Sequence, residues 1–196
     1  MPKVSQEYRD ARRAQILDAA RRCFLRNGFH ETSMQDLFAE SGMSSGAVYR
    51  YFASKQDVVL AIALENMHAV MAMIHGQATS RPQDSLGTAI SEVLDVIRKK
   101  HASDHLGAIA VLVWSEALRN PDLAERYNKS LKQMRTELAD LVREHPAHAT
   151  NSPDATPEAL AALLVSIIAG YILQLSLFGP RAAAGVQEAV RALWPT

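Results

Sequence analysis

Between positions 33 and 51 the chain gathers small and hydrogen-bonding side chains at helical spacing: Ser33, Gln35, Ser44, Ser45, Gly46, Ala47, Tyr49 and Tyr51. Hydroxyls, an amide and phenols both donate and accept hydrogen bonds. Thr32 to Phe52 reads as two short helices joined by a tight turn. Thr32 is expected to N-cap the first, with Gln35 completing a capping box. Leu37 and Phe38 supply its apolar face, and Gly42 sits where the chain must turn. Ser44 caps the second helix, which runs through Val48 to about Tyr51. Its exposed residues are small or flat, as a helix entering the DNA major groove requires. An ordinary helical hairpin shares this geometry, so the stretch alone leaves both readings open.

With 196 residues, 48% of them hydrophobic, the chain can bury the core of one large domain or two small ones. A net charge of zero argues against a protein coated in basic residues. The charge is uneven, however: residues 1–55 hold nine Lys/Arg against six Asp/Glu, and the remainder is acidic. A small nucleic-acid module on a larger non-binding body has this distribution. The one cysteine, Cys23, excludes an intrachain disulfide and fits a reducing cytoplasm. The N-terminus MPKVSQEYRD has no apolar signal region, so a cytoplasmic location is expected. Leu160 to Phe178 is uncharged and long enough to span a bilayer. Ser166, Gln174 and Ser176 within it favour a buried helix, and no membrane partner is expected.

Helical periodicity continues throughout, so the expected fold is all-α with about nine helices. The first should end at Asn27-Gly28, and Ser54-Lys55-Gln56-Asp57 should open a long fourth helix reaching about His75. Residues 77–85 read as a polar connector to a fifth helix, Leu86 to Lys100. His101 to Asp104 read as a break before a sixth helix, His105 to Arg119. Asn120-Pro121-Asp122 starts a seventh, running to about Glu144. His145 to Pro157 read as a mobile loop, with the charge-free eighth helix and a ninth (from Arg181) after it. His101, Asp104 and His105 have a spacing that could suggest a metal, but no Cys or second acidic cluster joins them. No metal or cofactor is expected.

The run ILDAARRCFLRNGFHETSMQDLFAESGMSSGAVYRYFASKQDVV resembles the N-terminal domain of the TetR family of transcriptional regulators. The features that carry the resemblance are Asn27-Gly28-Phe29, Thr32-Ser33, Gly42, Ser44-Ser45-Gly46, Tyr49-Arg50-Tyr51-Phe52 and Ser54-Lys55. Phe38 replaces a frequent small residue, and Met34 and Ala47 are apolar at potential base-facing sites. The resemblance implies a DNA-binding domain over residues 1–53 and a helical ligand-binding and dimerisation domain over 54–196. It also implies a non-enzymatic regulator, a repressor, that binds a palindromic operator in double-stranded DNA.

On that resemblance the second helix of the hairpin lies in the major groove, with Ser45, Ala47 and Tyr51 toward base edges. Gly46 lets backbone approach DNA, and Tyr49, Lys55, Ser33 and Gln35 meet phosphates. A homodimer built from the last two helices is implied, and Ala162, Ser166 and Gly170 form a small-residue stripe suited to close packing. The same stripe could pack within one subunit. The implied inducer cavity has Met67, Met71, Trp114, Tyr127, Met134, Tyr171, Gln174 and Phe178 as lining candidates. For any single one of these, ordinary core packing is the stronger reading, because core and lining share this composition. Few charges on these helices favour a small, largely apolar ligand. A helical enzyme or a protein–protein adaptor is the alternative, its N-terminal hairpin only structural.

Overall fold

The computed structural model describes residues 5–80, 85–144 and 155–194. Among these residues the fold is wholly helical: α1 (Gln6–Glu31), α2 (Met34–Ser41), α3 (Ser45–Tyr49), α4 (Lys55–Ser80), α5 (Leu86–Asp104), α6 (Leu106–Ala117), α7 (Pro121–Glu144), α8 (Pro157–Phe178) and α9 (Pro180–Leu193). Side-chain caps set most of the starts. Ser5, Ser85 and Thr156 accept the backbone N–H three residues on, and Asn120 Oδ1 accepts that of Leu123. Gly28, at φ 76°, breaks the last turn of α1, and Gly42, at φ 66°, turns the chain out of α2.

Three local expectations need correction. The N-cap of α2 is Ser33, not Thr32, and its capping box closes through Asp36, not Gln35. Thr32 is buried, and its hydroxyl donates to the Gly28 and Cys23 carbonyls, satisfying the end of α1. α4 runs on to Ser80, past the expected start of the connector, while 81–84 lie outside the described residues. So do 145–154, most of the stretch read as a mobile loop.

The third correction concerns His101 to Asp104, which are helical; the turn falls at His105, at φ 53°. His105 gives α6 no side-chain cap, and instead His101 Nδ1 accepts the Gly107 N–H at 3.2 Å. That bond needs a neutral ring. Burial, with His105 nearby, lowers the His101 pKa below its usual 6.5. The unfolded chain therefore takes up this proton at higher pH than the folded one. The stability so contributed is full above pH 6.5 and is lost as pH falls through the folded value. Melting temperature should accordingly drop between pH 7.5 and about 5.5, and less steeply in His101→Gln. Parallel pH profiles in calorimetry would refute this role.

Two large core clusters hold the helices together. The first joins α1, α2, α3 and the start of α4, through Ile16, Phe24, Leu37, Val48 and Ile62, to Ile109 and Val113 of α6 and Leu123 of α7. The three N-terminal helices thus share their core with the larger bundle. The second packs α5 against α8 and α9 through Leu94, Ile97, Tyr171, Ala183 and Val190. Gly87 is needed there, since a Cβ would lie 2.6 and 2.8 Å from the Trp194 and Val190 carbonyl oxygens. α8, uncharged from Leu160 to Phe178, has only a third of its most apolar stretch buried among the described residues (33%).

Candidate nucleic-acid interface and effector cavity

α2 and α3 form the hairpin. Leu37 and Val48, both fully buried, fix them against α1 and α4. This leaves Ser33, Gln35, Ser44, Ser45, Gly46 and Tyr49 exposed, with Ala47 and Tyr51 half-buried. Ser44 Oγ accepts the Ala47 N–H, while the Ser33 hydroxyl is taken up by Asp36. Those Ser33 hydrogen bonds hold the Asp36 carboxyl below its usual pKa. Tyr49 stands half out of the surface with its ring edge-on to Phe38, the centroids 5.4 Å apart. The unusual Phe38 therefore supports Tyr49.

Tyr51 packs against the first core and borders an open cleft between α3 and the start of α1. Arg9, Arg12 and Arg50 line this cleft without a carboxylate among the lining residues. The sequence gives no reason to group these arginines. Only the approach of α1 to α3 does so.

Lys55, expected at a phosphate, has partners within the subunit. Its ammonium donates to the Phe29, Thr32 and His30 carbonyls at 2.5, 2.6 and 3.3 Å and lies 4.3 Å from the Phe29 ring centre. All three donors are occupied, so within the subunit it fastens the end of α1 to α4. Burial lowers its pKa, opposed chiefly by Glu116.

Within the larger bundle are two adjoining apolar cavities. The one nearer the hairpin, ≈ 90 Å³, is bounded by Ala63, Asn66, Met67, Val70 and Ile74 on α4 and by Tyr127, Leu131, Met134 and Leu138 on α7. α6 adds Ala110, Val113 and Trp114, and α8 adds Val165, Ile168, Ala169 and Ile172. The farther one, ≈ 60 Å³, is bounded by Ile74 and Gln77, by Leu138, Leu141 and Val142, by Ile90 and its α5 neighbours, and by Leu164 and Ile168.

Of the predicted lining residues, Met67, Trp114, Tyr127 and Met134 border the larger cavity. Met71 instead packs with Leu138, Ala139 and Ala161, and Tyr171 is buried in the second core. Gln174 is half-buried away from either cavity, and Phe178 is 69% exposed. Ala63, Ala110 and Ala169 were missed; their small side chains help make the room. Of the small-residue stripe on α8, Ser166 is exposed and Ala162 and Gly170 are half-buried. A Cβ at Gly170 would meet nothing within 4 Å, so packing inside the subunit does not require the glycine.

The family model described as bacterial regulatory proteins of the tetR family matches residues 16–62, across the hairpin. A second, described as the C-terminal part of BetI-type transcriptional repressors, matches residues 82–193, more than half of the chain. The chain belongs to the TetR family. It is a DNA-binding transcriptional regulator, and these matches do not favour the enzyme and adaptor readings. Among TetR-family relatives, UidR, an HTH-type transcriptional regulator of Escherichia coli K12, is 24% identical over 92% of this chain and 90% of its own length. The uncharacterized HTH-type regulator YfiR of Bacillus subtilis is 32% identical over 65% of this chain. The chain spans 63% of YfiR's length in that match. Among solved structures, Salmonella enterica GusR aligns with a TM-score of 0.76 and 25% identity, over 97% of this chain and 98% of that one.

Proposed function

We propose that this TetR-family regulator is a cytoplasmic homodimeric repressor, released from a palindromic operator when an apolar molecule fills the cavity between α4, α6, α7 and α8. Residues 1–53 read the DNA, and the helices from α4 onward bind the ligand and the second subunit. Ser45, Gly46 and Ala47 face the bases. Ser33, Gln35, Ser44 and Tyr49 meet the sugar–phosphate backbone, joined by Arg9, Arg12 and Arg50 of the cleft and by Tyr51 at its edge. Two copies double these contacts and match half-sites about 34–36 Å apart.

One observation carries the coupling. Cavity residues lie within two positions of residues that fasten the reading head. Asn66 follows Glu65, whose carboxylate pairs with Arg13 and Arg21 of α1 at 2.5 and 2.7 Å. Tyr127 follows Arg126, which pairs with Asp57 at the start of α4 at 2.6 Å. Trp114 lies two residues before Glu116, whose carboxylate is 3.7 Å from His30. Part-exposed pairs of this kind contribute about 0–1 kcal/mol each. The joint is therefore weak enough for a ligand to shift, provided the ligand binds the released state more tightly.

A mobility-shift assay with DNA from upstream of the protein's own gene tests the reading. The shift should be sequence-specific and should weaken steeply with salt. Tyr49→Phe should lower affinity about 5–30-fold on every sequence, from about 1 kcal/mol per subunit, whereas Ser45→Ala should change which sequence is preferred. No specific shift, even with selected DNA libraries, would overturn it.

A further inference from the structure

The wall that α6 and α7 give the larger cavity holds one hydrogen bond among the described residues. Trp114 Nε1 donates to Tyr127 Oη at 2.9 Å. The other residues that these two helices bring to that cavity, among them Ala110, Val113, Leu131 and Met134, are aliphatic or thioether. Apolar side chains slide past one another at little cost, whereas a hydrogen bond is lost within about 1 Å of displacement. The Trp114–Tyr127 bond therefore sets how α6 and α7 sit along their seam.

Both ends of that bond lead to the DNA-reading head. α6 ends just beyond Trp114, where Glu116 and then Arg119 approach His30 of α1 at 3.7 and 3.4 Å. α7 begins shortly before Tyr127, where Leu123 enters the first core and Arg126 pairs with Asp57 of α4. Tyr127 itself packs against the first core and Trp114 against the second. The two struts thus reach the head at different points, the end of α1 and the start of α4. The indole–phenol bond ties them together between those points and the cavity.

We infer that the Trp114–Tyr127 hydrogen bond is a latch: closed, it holds the end of α1 and the start of α4 in the arrangement that binds DNA, and an occupant of the cavity opens it. This rests on the ligand-responsive reading above and names the contact through which the ligand acts. The space is ≈ 90 Å³, far below the ~300 Å³ of a small ligand pocket, so an ordinary ligand has to part its walls. At the α6–α7 seam that movement breaks the bond. An open latch lets the head sample more positions, and a less preorganised head binds its operator more weakly. Trp114 and Tyr127 are positioning residues, since both lie in the larger bundle rather than on the hairpin.

The test uses the full-length protein and its operator fragment, with no ligand, well below the melting temperature. Tyr127→Phe, which removes only the acceptor oxygen, should weaken operator binding about 3–10-fold, and Trp114→Phe at least as much. The double variant should bind no more weakly than Trp114→Phe alone, because the same bond is lost in all three. Linkage supplies a second measurement: if the closed latch favours the operator, the operator favours the closed latch by the same factor. Solvent exchange of the Trp114 indole proton, followed by NMR and assigned by its absence in Trp114→Phe, should therefore slow about 3–10-fold when operator is added. A bond that only supports the fold would lower the melting temperature and leave operator affinity and indole exchange unchanged, and that result overturns the inference. So does a double variant whose loss is the product of the two single losses. A wild-type protein that binds no operator fails the regulator reading instead.

Discussion

Lys55→Met is expected to lower global stability by about 2–3 kcal/mol and the melting temperature by about 5–10 °C. The substitution strips the Phe29, His30 and Thr32 carbonyls of a charged donor and removes the cation from the face of Phe29. Hydrogen bonds from charged donors contribute about 1.5–3 kcal/mol each. These carbonyls are only partly buried and can recover water, so the three together should cost less than their sum. Urea unfolding should show a lower midpoint with an unchanged slope. The alternative, a phosphate-binding lysine, makes the opposite forecast: unchanged stability and uniformly weaker operator binding. Measuring DNA affinity well below the melting temperature separates the two, and a variant as stable as the wild type would exclude the fastening role.

Lys55 also shows where the chain was and was not legible. Ser54 and Asp57 were readable as the start of α4, and Ser54 Oγ does accept the Asp57 N–H. Which groups an ammonium one residue away would meet depends on the end of α1, 26 residues back. Thr32 and Ser33 pose the same problem at shorter range. Both can cap, and local rules favour Thr32 because Gln35 completes its box. The Gly28 carbonyl competes for the Thr32 hydroxyl, so the cap moves on by one residue. Gly28, Gly42 and the cap of α7 were legible because local backbone geometry decides them.

The cavity was legible only as composition. Periodicity identifies the apolar face of a helix, but α4 and α7 each turn that face partly to core and partly to cavity. Met67 and Met71 are one turn apart on α4, yet the first borders the space and the second packs against Ala161. Phe178 differs for another reason: it ends α8 and is 69% exposed among the described residues. An apolar side chain so exposed says more about a second subunit than about a ligand.

Gly170→Glu should therefore split the assembly while leaving the subunit folded, with at least a 100-fold loss of operator affinity. Ala162, Ser166, Gly170, Leu173 and Leu177 recur at three- and four-residue spacing on one face of α8. Leu173 and Leu177 are 40% and 58% exposed there, and Leu163 and Phe178 extend the apolar surface. Within the subunit a Cβ at Gly170 meets no atom within 4 Å, and exchanging glycine for glutamate in a helix gains up to about 1 kcal/mol of propensity. The fold should therefore melt no lower, while two facing carboxylates enter the middle of an apolar contact without partners. A free subunit reaches only one half-site and forfeits the effective concentration that tethers the second head, commonly worth 10²–10⁴ in affinity. Sedimentation at micromolar concentration should show a dimer for the wild type and a monomer for the variant, with operator binding reduced in step. Gly170→Ala separates size from charge: it should weaken the dimer modestly, because only close helix approach is disturbed. A Gly170→Glu variant that stays dimeric and binds operator normally would place the interface elsewhere.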